Sequence, residues 1–174
     1  MKKVGLLLIV IIFLLVGCSN GKNVNTSEET GDIKTSDHAS VAKGYIFENN
    51  GIVIGMNEKT DPILKSLGDA KEYFEAESCA FQGMDKTYTY NGFELHTYEI
   101  DKIDYVATVI FLDDSVSTKE GISLNADLTD VIKAYGDKYT NKSNLYTYQL
   151  DKSKISFIME NDKVTSIEYT AITE

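Results

Sequence analysis

Three runs in the middle of the chain have the pattern of β-strands: apolar and polar side chains largely alternate in the first two, and the third is almost wholly apolar. The runs cover residues 87–90, 93–100 and 105–112, and they are rich in tyrosine and threonine. Asn91-Gly92 separates the first two runs, and this dipeptide is the strongest short signal for a two-residue hairpin turn. We therefore predict three consecutive antiparallel strands in this part of the chain.

A short helix is predicted over residues 61–69, where the apolar spacing changes to three and four residues. Asp61 is the expected N-cap, because its side chain can accept a hydrogen bond from the first turn. Pro62 suits the first helical position, and Gly68 is expected to end the helix. Two apolar runs on either side of Asn49-Asn50-Gly51 predict a pair of strands before the helix.

The same order of elements is predicted a second time. Residues 121–124 match the strand at 51–54, Thr129-Asp130 is the expected cap of a second helix, and Gly136 is its expected end. Further strand patterns follow at residues 146–148, 155–157 and 164–170.

Agreement of caps, turns and periodicity predicts an internal duplication. The predicted fold class is α+β, with two tandem helix-plus-antiparallel-sheet repeats that form one compact unit. The first αβ repeat spans residues 44–114 and the second spans residues 115–174. Residues 73–84 have no counterpart in the second repeat, and we interpret them as a less regular stretch.

The hairpin register predicts which side chains face the helices. A turn at Asn91-Gly92 places Tyr90 opposite Phe93 and Tyr88 opposite Leu95, so all four share one face. The predicted core set is Tyr88, Tyr90, Phe93, Leu95, Val109 and Phe111 in the first repeat, and Tyr146, Tyr148, Ile155, Phe157, Ile167 and Tyr169 in the second.

The opposite face of the first repeat is also apolar, and an apolar outer face needs a partner. It is either a contact with the other repeat or with residues 74–81, or a docking surface for another protein or a ligand. The matching face of the second repeat, with Val164 and Glu168 on it, is predicted to be solvated. The candidate interaction surface consists of His96, Tyr98, Val106, Ile110 and Leu112.

The N-terminus has the pattern of a secretory signal. Two lysines precede an apolar run over residues 4–16 that is too short to span a bilayer comfortably. The run ends in Leu15-Val16-Gly17-Cys18, which resembles the lipobox of bacterial lipoproteins. The resemblance implies that residues 1–17 are a lipoprotein signal peptide and that Cys18 receives a lipid. This lipid would anchor the chain on the extracytoplasmic face of the cell membrane.

Residues 18–43 are polar and have no periodicity, so we expect a flexible linker after the lipidated cysteine. The chain carries 27 acidic residues against 17 basic ones, all of them lysine, with a formal net charge of −10. Acidic surface without arginine argues against nucleic acid as a partner, because phosphate neutralisation needs clustered basic side chains.

The common signatures of catalysis and cofactor binding are absent from the sequence. The two histidines cannot form a conventional His-rich metal site, and Asp113-Asp114 is expected to be a solvated turn rather than a calcium site. Cys79 would be the single cysteine left after lipidation of Cys18. A buried, inert Cys79 is the leading interpretation, while a redox or intermolecular role and a Cys79–His96 nucleophile pair are alternatives. We predict no catalytic residue, no metal and no cofactor.

Two further resemblances concern the folded part. Residues 77–90 and 93–98, from Glu77-Ser78-Cys79 to Thr97-Tyr98, resemble a group of uncharacterised lipoproteins of Gram-positive anaerobes. More remotely, the tandem units are similar to the β-lactamase-inhibitor protein and to the small lipoproteins of outer-membrane assembly. These folds imply protein–protein binding through a sheet face or a helix edge.

The sequence therefore predicts a lipid-anchored, non-catalytic module that binds another envelope or extracellular protein. The alternative is a lipoprotein that binds a small ligand or a cell-wall polymer through tyrosines on an exposed sheet. An envelope hydrolase that uses Cys79 is the third hypothesis.

Overall fold

The structure, a computed structural model, describes residues 43–173. These residues form ten strands and two helices. In chain order they are β1 (Ile46–Asn49), β2 (Ile52–Gly55), α1 (Thr60–Leu67), β3 (Glu72–Glu77), β4 (Met84–Thr89), β5 (Phe93–Ile100), β6 (Ile103–Phe111), α2 (Leu128–Tyr135), β7 (Thr140–Lys142), β8 (Leu145–Leu150), β9 (Ser153–Glu160) and β10 (Lys163–Ala171).

Eight of the strands form one antiparallel sheet in the order β3-β4-β5-β6-β10-β9-β8-β7. The strands β1 and β2 form a separate two-stranded sheet. In the middle of the large sheet, β6 pairs with β10 through three residue pairs: Thr108 with Thr170, Val109 with Tyr169, and Ile110 with Glu168. We call this pairing the central junction, because it joins the strands that follow α1 to those that follow α2.

The prediction of an α+β fold built from two helix-plus-sheet repeats is wrong. The fold is mostly β, and its large sheet is continuous across the central junction. Each helix has only eight residues. The physical reason is that β6 and β10 each satisfy their free backbone edge by pairing with the other. The expected boundary between residues 114 and 115 falls in the loop between β6 and α2.

One face of the sheet is covered by the β1–β2 hairpin and the helices, and the hydrophobic core lies there. Phe47 of β1 is fully buried, and its ring lies 5.0 Å from Phe93, 5.1 Å from Phe111 and 6.1 Å from Tyr169 between ring centroids. Phe93 and Phe111 lie on one side of the central junction and Tyr169 on the other. The hairpin therefore covers the junction with an aromatic side chain.

The predicted core positions are confirmed on both sides of the central junction. Ten of the twelve predicted side chains are buried, and Tyr88 and Tyr146 are partly buried against them. The helices add Ile63 and Val131 to the same core. Alternation of side chains along paired strands is enough to predict this set, because strand geometry sends every second residue to the same face.

The predicted helix ends are confirmed, and the predicted helix starts are wrong. Gly68 and Gly136 follow the helices with φ of 76° and 85°. Lys59 and Asp127 occupy the N-cap positions, and neither side chain makes a capping hydrogen bond. Asp61 lies inside the first turn of α1, where a carboxylate still favours the positive end of the helix dipole.

The hairpin at residues 91–92 is confirmed, since the Tyr90 N–H donates a hydrogen bond to the Phe93 carbonyl at 2.9 Å. Residues 121–124 do not form the predicted strand. Ile122 is instead buried in a loop, where two hydrogen bonds join it to Thr118. Strand β3 lies within the stretch that we interpreted as less regular, and strand β7 was missed because it has only three residues.

Two β-bulges change which side chains reach the core. In β6, Ala107 is the extra residue, because His96 pairs with Thr108 and Thr97 pairs with Val106. In β10, Thr165 is likewise the extra residue, without a pairing partner on β9. Each bulge turns the valine before it toward the core, so Val106 and Val164 are fully buried. Both residues were predicted to lie on the outer face, and both predictions are wrong for this reason.

Truncation of the side chain over the central junction should destabilise the fold. We expect Phe47→Ala to lower the free energy of unfolding by about 3–5 kcal/mol, since it removes a fully buried ring. Val53→Ala on the exposed side of the same hairpin is the control, and it should cost less than about 1 kcal/mol. Denaturant titration measures both values, and equal losses would contradict the role assigned to Phe47.

The backbone at Gly136 should reject a side chain even though space is free around it. Its φ of 85° and ψ of −171° lie in a region that only glycine adopts easily, and no atom lies within 4 Å of an added Cβ. We expect Gly136→Val to cost about 1–3 kcal/mol, from backbone strain alone. Thermal unfolding of this variant beside Asp137→Val tests the assignment, and an unchanged melting temperature for Gly136→Val would refute it.

Candidate functional site

The five residues of the candidate interaction surface differ in their exposure to solvent. His96, Ile110 and Leu112 lie at least partly exposed, and Leu112 is 45% exposed. Tyr98 and Val106 are buried. A partner could reach these two residues only after rearrangement of the fold.

Tyr98 is buried because aromatic neighbours cover it on the outer face. Its ring stacks on Phe81 at 5.0 Å and on Tyr105 at 5.6 Å between centroids. Its hydroxyl donates a hydrogen bond to the Asn57 side-chain oxygen at 2.9 Å. The alternative that residues 74–81 cover part of this face therefore holds for Tyr98, through Phe81.

His96 lies in a polar group on the outer face and has no cysteine partner. Its Nε2 atom is 3.1 Å from a Glu94 carboxylate oxygen, and its Nδ1 atom is 3.3 Å from the Thr87 hydroxyl. Cys79 is exposed in the loop between β3 and β4, so the prediction of a buried cysteine is wrong. The loop that carries Cys79 folds Phe81 inward and leaves the thiol on the surface.

The acidic side chains, His96 and Cys79 were the candidate metal ligands among residues 43–173. No cluster of three or more histidine, cysteine or acidic side chains in this range is arranged to hold a metal ion. Asp113 accepts a hydrogen bond from the Ser115 backbone at 2.8 Å, and hydrogen bonds from Ser115 lower the pKa of this exposed carboxyl. The Asp113-Asp114 pair thus forms part of a hydrogen-bonded turn.

The edge strand β3 is an accessible segment of the sheet. All six of its residues are exposed, with Tyr73 at 52% and Phe74 at 66%. It pairs with β4 on one side, and no other described strand lies on its free side. The opposite edge strand, β7, has only three residues, which is a common way to blunt a sheet edge. Strand β3 therefore offers the longer free edge.

Backbone groups on the free edge of β3 can be assigned from the ladder. The Ser78 N–H donates to the Gly83 carbonyl at 3.0 Å, and this residue pair continues the register of β3 with β4. In an antiparallel pair, residues whose backbone groups bond to the neighbouring strand alternate with residues whose groups point away from it. Since Ser78 bonds toward β4, the N–H and C=O groups of Tyr73, Glu75 and Glu77 point away from β4. Such unpaired groups are a template for another strand.

A groove borders this edge on the helix-covered face of the sheet. It has a volume of about 660 Å³ and lies between the C-terminal end of α1 and strands β3 and β4. Its lining residues are Leu64, Lys65, Gly68, Asp69, Ala70, Tyr73, Tyr88 and Tyr90. Tyr73 and Tyr88 contact each other at 5.0 Å between ring centroids.

The three tyrosines of the groove stay neutral at physiological pH. The Tyr73 hydroxyl donates a hydrogen bond to Glu75, and this interaction raises the pKa of Tyr73. Burial raises the pKa of Tyr88 and of Tyr90, whose hydroxyl also donates to the Gly68 carbonyl at 3.3 Å. The groove thus presents neutral aromatic rings with polar tips, which are common in protein-binding surfaces.

Sequence reasoning missed β3 as part of any site. Its pattern Glu-Tyr-Phe-Glu-Ala-Glu places two aromatic residues side by side, so it lacks the strict alternation of a half-buried strand. A usable signal was the aromatic pair followed by Gly83 just before the next predicted strand, which is typical of a strand–loop–strand arrangement.

Several predictions concern residues outside the described range. The signal over residues 1–17, the lipidation of Cys18 and the linker up to residue 42 belong to this group and stay predictions. Within residues 43–173, neither helix has the length and apolar character needed to cross a membrane.

Comparisons with protein-family models, with curated proteins and with solved structures found no match for this chain. The resemblances drawn from the sequence therefore stay predictions.

Proposed function

We propose that this protein is a membrane-anchored extracytoplasmic lipoprotein that binds another protein and catalyses no reaction. The observation that carries the proposal is the free, fully exposed edge of β3 beside a tyrosine-lined groove. An extended segment of the partner would add to the sheet as a further strand, so that backbone hydrogen bonds provide affinity. Alternate side chains of that segment would contact the groove and provide selectivity.

Charge indicates what kind of segment fits. Strand β3 carries Glu72, Glu75 and Glu77 and has no basic residue. A second copy of this chain would bring its own three carboxylates against these, and like charges on paired strands are destabilising. A partner segment with lysine or arginine between apolar residues would satisfy both the acidic edge and the exposed rings of Tyr73 and Phe74. We therefore propose a basic, extended segment of another envelope or extracellular protein.

The alternative function, binding of a small ligand or a cell-wall polymer, has one specific observation in its favour. Tyr73, Tyr88 and Tyr90 line the groove together, and neutral phenol rings can contact sugars as well as peptides. The two hypotheses differ in whether the backbone edge of β3 takes part.

Photo-crosslinking in the cell can test the proposal with the full-length chain. A photoreactive phenylalanine analogue at Phe74 should crosslink to one partner protein, at a segment that contains basic residues. The same analogue at Leu150, an exposed position at the end of β8, is the control and should not give this product.

A backbone variant separates strand addition from side-chain contacts. Glu75→Pro removes one outward N–H of β3 without removing a bond to β4, so we expect the Phe74 crosslink to fall at least tenfold. Glu75→Ala removes the same carboxylate but keeps the N–H, so its crosslink should fall much less than that of Glu75→Pro. Equal crosslinking in both variants would contradict strand addition. A Phe74 probe that captures no protein would contradict protein binding and support the groove as a ligand site.

A further inference from the structure

A second cleft lies on the outer face of the sheet, on strands β7 to β10 and away from the helices. It has a volume of about 500 Å³. Its lining residues are Lys138, Thr140, Lys142, Leu145, Thr147, Gln149, Lys154, Ser156 and Thr170. Eight of these nine residues carry polar side chains, so the cleft is suited to a polar ligand.

The charge of this cleft is opposite to that of the chain. Three lysines line it and no acidic residue does, although acidic residues outnumber lysines by 27 to 17 in the sequence. Lys138, Lys142 and Lys154 form no ion pair with any residue from 43 to 173. Three ammonium groups without an ion-pair partner around one cleft attract an anion. The repulsion of this anion by more distant carboxylates is weakened by salt, which screens charges over about 8 Å.

Hydroxyl groups run across the floor of the cleft between these lysines. Strand pairing places Thr140 opposite Thr147 and Thr147 opposite Ser156, so the three side chains form one row across β7, β8 and β9. The Thr147 and Ser156 hydroxyl oxygens lie 3.0 Å apart, and one donates to the other. The hydroxyl that accepts in this pair keeps its own hydrogen, which it can donate to a ligand.

The nearest acidic side chain on this face borders one end of the row. Glu168 pairs with Ser156 in the ladder and accepts a hydrogen bond from the Thr170 hydroxyl at 2.9 Å. Adjacent strands are about 4.8 Å apart, so Thr140 on β7 lies three strands, or about 14 Å, from Glu168 on β10. An anion is therefore favoured at the β7 and β8 end of the cleft.

We propose that this cleft binds phosphate groups that are carried by a polyhydroxylated ligand. The lysine ammonium is a compact point charge that donates hydrogen bonds to phosphate oxygens from many directions, so the three lysines can bind phosphate although the chain has no arginine. Lysines provide the charge for the phosphates, and the Thr, Ser and Gln side chains can hydrogen-bond to the hydroxyls between them. The cleft and the free edge of β3 are at opposite ends of the sheet, so this proposal is independent of protein binding at β3.

Binding to defined probes tests this inference with the full-length chain in a non-ionic detergent. A fluorescently labelled glycerol-phosphate oligomer should bind, with an affinity that falls as salt is added. Inorganic phosphate should compete only weakly, because it lacks the hydroxyls and the repeated charge. A polycarboxylate of similar length and charge should bind at least tenfold more weakly, and equal binding would refute selectivity for phosphate.

Matched lysine variants locate the site. The triple variant Lys138→Gln, Lys142→Gln and Lys154→Gln should lose at least tenfold in affinity for the oligomer. The control triple Lys102→Gln, Lys119→Gln and Lys133→Gln makes the same change of charge at exposed positions outside the cleft, and should stay within twofold of the parent. Equal losses would indicate a general charge effect and overturn the inference, as would a parent protein that binds no oligomer.

Discussion

The pairing of β6 with β10 is the constraint on which the rest of this structure depends. Only three residue pairs form it, yet it makes one sheet of the strands that follow the two helices. Backbone hydrogen bonds alone would leave this junction exposed on the core side. The ring of Phe47 covers it there and contacts aromatic residues from both sides. Continuity of the sheet and burial of the β1–β2 hairpin are therefore parts of one arrangement.

Among residues 43–173, the continuous sheet has two edges and an outer face that neither the helices nor the β1–β2 hairpin covers, and these have different chemistry. The β3 edge is long, acidic and flanked by exposed aromatic rings, while the β7 edge is short. The uncovered face carries a histidine–glutamate pair near β5 and a lysine-rich cleft near β8. The core-facing side chains are buried in the fold, so the edge and the outer face are the accessible parts of the sheet. We propose a protein partner at the first and a phosphate-bearing ligand at the second.

The sequence predicted local features well because each has a local physical cause. Asn91-Gly92 formed its hairpin, and Gly68 and Gly136 ended their helices with positive φ. The core side chains followed from alternation along the strands. Of the candidate interaction surface, His96, Ile110 and Leu112 are at least partly exposed while Tyr98 and Val106 are buried, and its role in binding stays a prediction. Strand β3 was missed because its residues lack strict alternation, and the exposure of Cys79 was not predicted because it depends on what lies beside the loop in space.

By itself, the sequence determined the turns, the helix ends and the core-facing side chains, because these depend on residues close together along the chain. Only the tertiary structure shows that the eight strands form a single sheet. The strands β6 and β10 pair through backbone groups, which every residue carries, so no particular side chain signals this pairing in the sequence. The tertiary structure also decided that Val106 and Val164 face the core. A bulge adds one residue to a strand without any change of composition, and that one residue moves a side chain from one face of the sheet to the other.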